Sequence, residues 1–416
     1  IFDFNLPKVY FIDIETEVID GFPDPATAPT MIQAISIVYD DKIVLLGLKE
    51  LSREAQIRIK DKTNKYFEEF GIEYKLKYIY FESEFDMLQN FFEHRLPRYH
   101  CISGWNFLDF DLRFLINRAR KLSKTVNGEL TFINVNKASR TNRIKQIWGT
   151  EYEVPMHKMA FDYMLLYKSL DTSVKVKESN SLDFVSEKVL GVKKIQFSGS
   201  LMKLYEEDFE KFMYYNAVDS VLVQQIHLKM NYLSIIFAIA SLAKIKAVDV
   251  YNYRNNSLAS LASTEGVLRE LYKEHEKIIL FKDETRSSAG EDSITGGWVK
   301  EPAIGMNRWV SCYDFASLYP TTQRQFFIAP ENFVGVQIKD NKDFCRVPSS
   351  AEEIAIDFVN QVVCTNGTVF RKKHSPTLMM LENVYADRKL NKKIMMNKMF
   401  EKDRLEKELE ELEAAL

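Results

Sequence analysis

The sequence predicts an α/β layer followed by a shorter region of mixed strands and one long terminal helix, and three observations carry that prediction. Apolar β-branched runs alternate with stretches of helical periodicity through the first half of the chain. A polar stretch bearing Gly and Ser, Glu284 to Gly297, has the composition of a linker. From Leu378 to Leu416 there is neither Gly nor Pro and charged residues are dense. With 416 residues, 46% of them hydrophobic and 28% charged, the chain has material for two or three cores.

The elements follow in order. Between Val9 and about Leu48 the runs VYFIDIET, IQAISIVY and KIVLLGL predict strands, with the turn-rich GFPDPATAP inserted after the first. Glu84 to Leu96 carries apolar residues at helical spacing, and the strand CISGWN leads into the helix DLRFLINRARKL. Phe209 to Lys277 is mostly helical. After the linker, RWVSCYDFASLYPT predicts a strand that ends in a turn, and strands and loops mix as far as about Ser375. Leu405, Leu409, Leu412 and Leu416 then repeat at 4-3-4 spacing on a single long helix.

Charge and composition exclude several functions. Lys and Arg number 56 against 59 acidic residues, a formal charge of -3, so no general polyanion-coating surface exists and any nucleic-acid contact must be local. The longest nearly uncharged apolar run, Tyr232 to Ala243, falls short of the roughly 20 residues of a membrane-spanning helix, and no membrane partner is expected. The cysteines, Cys101, Cys312, Cys345 and Cys364, are far apart and read as free thiols in a reducing compartment. The chain opens on Ile1 and enters a strand-like stretch at once, so an upstream segment is expected.

Asp13 and Glu15 stand two apart in a strand, so both carboxylates face one side. That is a metal-ligand geometry, although a solvated pair on an exposed strand face would have the same spacing. Asn106 and Asp111 lie five apart where a strand gives way to a helix. Tyr215 precedes Asp219 by one helical turn and shares its face, with Tyr214 turned away. In this order, D-x-E, N-x-x-x-F-D and Y-x-x-x-D resemble the three exonuclease motifs of proofreading DNA polymerases. The resemblance implies that Asp13, Glu15, Asp111 and Asp219 hold two divalent cations and that Tyr215 aims the attacking water. Such cations, roughly 4 Å apart, would ready the water and neutralise the leaving 3' oxygen, and carboxylates are the hard ligands Mg²⁺ prefers, with Mn²⁺ as a substitute. The N-x-x-x-F-D register selects Asp111 over Asp109, which is left as a helix N-cap or a solvated residue.

A second constellation begins at Asp314. DFASLYP after apolar WVSCY resembles motif A of family B DNA polymerases. That likeness implies a catalytic metal on Asp314 with the Phe315 carbonyl as a further ligand. It also implies a triphosphate against the amides of Ser317, Leu318 and Tyr319, and a Tyr319 ring that excludes a 2'-hydroxyl. Downstream, Arg388 and Lys392 share a helix face at i and i+4, and guanidinium with ammonium suits a triphosphate. Their place after motif A matches the fingers helix of that family.

Together with DIETEVIDGFPDP, SLD (Ser181 to Asp183) and GGWVKEP, these motifs are similar to the replicative polymerases of T-even-like bacteriophages, within family B. Ile294 departs from the pattern, since many members have the tyrosine of Y-x-G-G there. The resemblance implies a ribonuclease H-like 3'-to-5' exonuclease domain over 1–230 and a helical connector over 231–285. It further implies a partial α+β palm over 286–375 and the first fingers helix over 376–416. A second D-T-D aspartate, a second fingers helix and a thumb are absent from the 416 residues, so a naturally split enzyme completed by a second polymerase chain, or a truncated form, is expected. The implied partners are primer-template and single-stranded DNA, deoxynucleoside triphosphates and a sliding clamp, in the cytoplasm of an infected bacterial host. A freestanding exonuclease and a non-catalytic replication scaffold remain the alternatives.

Overall fold

The computed structural model describes residues 7–19, 21–138, 142–147, 150–171, 178–195, 199–243, 246–251, 300–302, 304–306, 308–315, 317–348 and 350–415. The linker expected at 284–297, with Ile294 in it, and Leu416 lie outside these residues. The chain divides into two compact units, one from Phe2 to Ala262 and the other from Ser263 to Leu416.

In the first unit, β1 (Val9–Thr16), β2 (Ile32–Tyr39), β3 (Lys42–Gly47), β4 (Lys75–Tyr80), β5 (Cys101–Gly104) and β10 (Met159–Asp162) form one six-stranded mixed sheet. Its order is β10-β5-β1-β2-β3-β4. β2 runs antiparallel to β1 and β3, whereas β4 is parallel to β3, and β1, β5 and β10 run parallel to one another. The two hairpins between β5 and β10 stand apart from this sheet: β6 (Ser123–Val126) with β7 (Glu129–Phe132), and β8 (Asn142–Ile147) with β9 (Thr150–Pro155).

β1 and β2 are largely buried on both faces because helices cover both sides, as in parallel α/β layers. The helices of this unit are α1 (Arg53–Tyr66), α2 (Glu84–Asn90), α3 (Asp111–Lys121), α4 (Tyr163–Leu170), α5 (Leu182–Leu190), α6 (Leu201–Glu207), α7 (Phe209–Met230), α8 (Tyr232–Ala243) and α9 (Ala247–Tyr251). α7 packs on β1 and β2, with a Ser36–Ser220 hydroxyl contact between them. Buried from Phe212 to His227 over most of its circumference, it ends where Asn231 takes a left-handed conformation, φ 51°. The run Tyr232 to Ala243 forms α8, and Tyr232, Leu233 and Ile236 join the first core.

Position 104 admits only glycine. A Cβ there would run into the Ile12 carbonyl oxygen of the neighbouring strand and the Phe107 side chain. The close approach sets the end of β5 against the middle of β1 and lets the chain turn at once into the loop before α3.

The second unit has a five-stranded antiparallel sheet, order β13-β12-β11-β15-β14, built from β11 (Phe333–Gln337), β12 (Phe344–Arg346), β13 (Glu353–Ala355), β14 (Gln361–Val363) and β15 (Thr368–Arg371). Its small core is Val334, Cys345, Ile356 and Val369. α10 (Leu318–Gln325) and α11 (Pro376–Ala415) meet through the Arg324–Glu382 ion pair at 3.3 Å. The unbroken α11 agrees with the Gly- and Pro-free tail.

The strand expected over RWVSCYDF is not formed. Residues 308–315 are irregular and exposed, Trp309 at 98% and Tyr313 at 92%. A strand is completed only by a neighbour that takes its N–H and C=O groups, and among the described residues none of the five strands pairs with this segment.

Candidate functional site

Alternation along β1 aims Phe11, Asp13 and Glu15 at α7. The Phe11 ring lies 5.4 Å from that of His227, and Asn216 donates through Nδ2 to Asp13 Oδ2 at 2.9 Å. Helical spacing on α7 then brings Asp219, three residues after Asn216 and four after Tyr215, to the same place. Carboxylate oxygens of Asp13, Glu15 and Asp219 all lie within 4.8 Å of one another.

Lys194 enters this cluster, with Nζ 2.5 Å from Asp219 Oδ2 and 5.2 Å from the Tyr215 ring centroid. Its backbone is fixed by Asp183 Oδ1, which accepts the Lys194 amide at 2.8 Å, so the SLD segment at the start of α5 presents the lysine. Asp13, Asp219 and Lys194, with Trp105, Asn106, Met164 and Leu182, line an open cleft of about 440 Å³.

Burial raises every acid here. Asp13 is pushed up to about 7 by burial and then by the Asp219 charge, opposed by Lys194 and the Asn216 amide. Glu15 is raised well above the usual range by burial and by Asp13 and Asp219. Asp219 is raised by burial, with Lys194 and Tyr215 holding it down. Burial works to lower the Lys194 pKa and is overcome by Asp219 and Tyr215, which push it up. Three carboxylates against one ammonium leave negative charge in excess, which a divalent cation would relieve.

The donor set fits such an ion. Asp219 Oδ1 is buried and has no hydrogen-bond partner, which is costly unless something else takes the lone pairs. It lies beside two further carboxylates, the hard ligands that Mg²⁺ and Mn²⁺ take.

Asp111 is placed differently from the sequence expectation. It is buried, and its Oδ1 accepts the Ile14 amide at 3.1 Å, bracing β1 between Asp13 and Glu15 from outside the three-carboxylate cluster. Its pKa is raised by burial and then by the nearby Asp13 charge. Asp109 is not the helix cap and is only partly solvated. Phe110 holds the N-cap position with no side-chain bond, and Asp109 is half-buried and hydrogen-bonded to Tyr152. Tyr214 does turn away, toward α1, with Lys62 6.0 Å from its ring.

Sequence reasoning missed Lys194, Asn216 and Asp183 as members of the site. Asn216 was legible, one turn before Asp219 on the same helix. Lys194 was not, because nothing in VKKIQF separates it from Lys193, which pairs with Glu187 at 3.0 Å.

The second set lies in the other unit. Asp314, Phe315, Leu318 and Tyr319 are exposed, and Asp314 belongs to no group of three or more metal-ligand side chains among the described residues. One pairing joins the two motifs there. Arg388 donates through Nη1 to Ser317 Oγ at 2.8 Å. Lys392, one turn on, is exposed.

A carboxylate cluster shared by an inner strand and a long flanking helix, on a mixed α/β layer, is a site with the ligands for a divalent cation. Residues 5–183 match the family model described as DNA polymerase family B, exonuclease domain. Over 350 residues the chain is 27% identical to the DNA-directed DNA polymerase of Escherichia phage RB69 and 25% identical to that of Enterobacteria phage T4, covering 80% of this chain in both cases. It is 28% identical over 369 residues, 83% of its length, to DNA polymerase 1 of Sulfurisphaera ohwakuensis. The matches cover 36%, 37% and 38% of these relatives, so the chain spans little more than a third of their length. No helix among the described residues is long and apolar enough to cross a membrane.

Proposed function

We propose that the first unit is a ribonuclease H-like 3'-to-5' proofreading exonuclease of a phage replicative DNA polymerase, acting on single-stranded and primer-template DNA. The observation that carries this reading is the meeting of Asp13, Glu15 and Asp219 around a buried, unpartnered carboxylate oxygen. Asp13, Glu15 and Asp219 would hold Mg²⁺, or Mn²⁺ in its place, with Asp111 joining them after releasing or sharing the Ile14 amide. When bound, the ions supply Lewis-acid charge at the scissile phosphate. Lys194 holds Asp219 in place, the Tyr215 hydroxyl orients a water, and the Trp105 side of the cleft takes the terminal nucleotide.

Replacing Asp13 and Glu15 together with Ala should lower Mg²⁺-dependent digestion of a labelled single strand by about a thousandfold or more, since groups that act as one unit are lost together. Unchanged digestion would overturn the reading.

The second unit is proposed as part of the nucleotidyl-transfer region, a partial palm and the first fingers helix. Asp314 and the Phe315 carbonyl would hold metal. Ser317, Leu318, Tyr319, Arg388 and Lys392 would face a deoxynucleoside triphosphate, and the Arg388–Ser317 hydrogen bond supports that grouping. The remaining ligands would come from outside these 416 residues, from a second polymerase chain. Leu405, Leu409 and Leu412, each more than half exposed, offer that chain a helix face. Light scattering after mixing with such a chain checks this, and two species that stay separate would refute it. A sliding clamp and the cytoplasm of the infected bacterium complete the reading.

A further inference from the structure

The C-terminal end of β10 carries Asp162, a side chain that no motif in the sequence singles out. It is fully buried. Its Oδ1 accepts the amides of Met164 at 3.0 Å and Leu165 at 3.3 Å, capping α4, while Oδ2 reaches sideways to the Leu108 amide at 3.1 Å. One carboxylate therefore does two separable jobs. The cap is local, whereas the bond to Leu108 crosses to the turn between β5 and α3.

That turn is closed on itself by Phe110 N–H to Asn106 O at 3.0 Å and Leu112 N–H to Phe107 O at 2.8 Å, with Asn106 left-handed at φ 59°. Phe107 and Leu108 are buried, so the turn is packed as well as bonded. Asp111, the residue directly after it, bonds to Ile14 between Asp13 and Glu15. β10, β5 and β1 are neighbours in the sheet, and Asp162 pairs with Gly104. The bond from Asp162 to Leu108, the backbone from Leu108 to Asp111 and the bond from Asp111 to Ile14 thus tie β10, β5 and β1 together beside the converging carboxylates.

We propose that Asp162 is a positioning residue for the metal cluster, acting through the Leu108 amide to fix the turn that delivers Asp111 against β1. The proposal rests on the reading of the cluster as a metal-dependent nuclease site. Neutral apolar substitutes could pack at position 162, but only an acceptor with two oxygens serves the α4 cap and the turn at once. Outer partners of this kind hold ligands in place, and their loss typically costs ten- to hundredfold in metal affinity or activity.

Asp162→Ser separates the two jobs, because serine is a good N-cap and offers no second oxygen to Leu108. Asp162→Asn is the second variant, should the first not fold, since it keeps the shape while replacing one acceptor by a donor. Three quantities are read on the whole chain: Mn²⁺ affinity by calorimetry without DNA, the exchange rate of the Leu108 amide, and the rate of single-strand digestion with its Mg²⁺ dependence. The expected result is faster Leu108 exchange, Mn²⁺ affinity weakened about tenfold, and digestion slowed by about ten- to hundredfold. Faster exchange with unchanged Mn²⁺ affinity would overturn the proposal and leave Asp162 a structural cap. A parent chain that binds Mn²⁺ but digests nothing would defeat the nuclease reading instead, and the calorimetric arm would still decide the role of Asp162.

Discussion

Replacing Lys194 with Met would remove the ammonium that the structure sets among the carboxylates. Lys194 and Asp219 lie 2.5 Å apart with side chains 24% and 5% exposed. Their attraction at that distance is about 7 kcal/mol with an effective dielectric of 20, before the desolvation of either group is charged against it. Breaking a buried pair from one side costs about 3–5 kcal/mol. The quarter exposure of the lysine discounts this to about 2–4 kcal/mol.

In a unit running from Phe2 to Ala262, each kcal/mol moves the melting point by roughly 2–4 °C, so a fall of about 4–16 °C is expected. The loss should be largest near pH 8, above the Asp13 pKa of about 7, where the cluster is most fully charged. It should shrink near pH 6, where proton uptake by Asp13 relieves the repulsion. Excess Mg²⁺ should restore most of the stability, since a ligand at a hundred times its Kd contributes about 2.7 kcal/mol. The variant should gain more from metal than the parent, because the ammonium no longer competes for Asp219 Oδ2. Thermal denaturation followed by circular dichroism at pH 8, in chelator and in Mg²⁺, measures all of this. A metal-free variant as stable as the parent, or one that gains no more than the parent from Mg²⁺, would refute the reasoning.

Tyr215→Phe should slow digestion on the order of a hundredfold or more while Mn²⁺ affinity stays nearly unchanged; equal losses in both would make the tyrosine part of the metal site. Gly104→Ala, which drives a Cβ into the Ile12 carbonyl, should cost at least about 2 kcal/mol in urea denaturation. His227, buried beside Tyr163 and Phe11, has its pKa pushed down by burial to about 4. The unfolded chain takes up this proton below about 6.5 and the folded one only near 4, so stability should fall by on the order of 3 kcal/mol as the pH drops through that window. His227→Phe should flatten that part of the urea stability curve, and an identical slope in both proteins would show that the histidine is not its source.

Elements whose signal is local were legible in the chain before it folded. Alternation in VYFIDIET placed Asp13 and Glu15 on one face, and the four-residue spacing of Tyr215 and Asp219 placed them together on α7. The unbroken tail specified one helix, because period and propensity act within a few residues. What reaches those faces depends on the folded chain. Lys194 enters the cluster because Asp183 holds its amide, Asp111 accepts the Ile14 amide, and Asp109 pairs with Tyr152. Each of these depends on a partner 11 to 97 residues distant, where a backbone amide and a metal are equally good claimants for a carboxylate oxygen and sequence spacing cannot rank them. The strand expected over 308–315 marks the same limit from the other side. Its residues have the propensity, but a strand exists only where another strand accepts its hydrogen bonds, and that is a property of the assembled sheet.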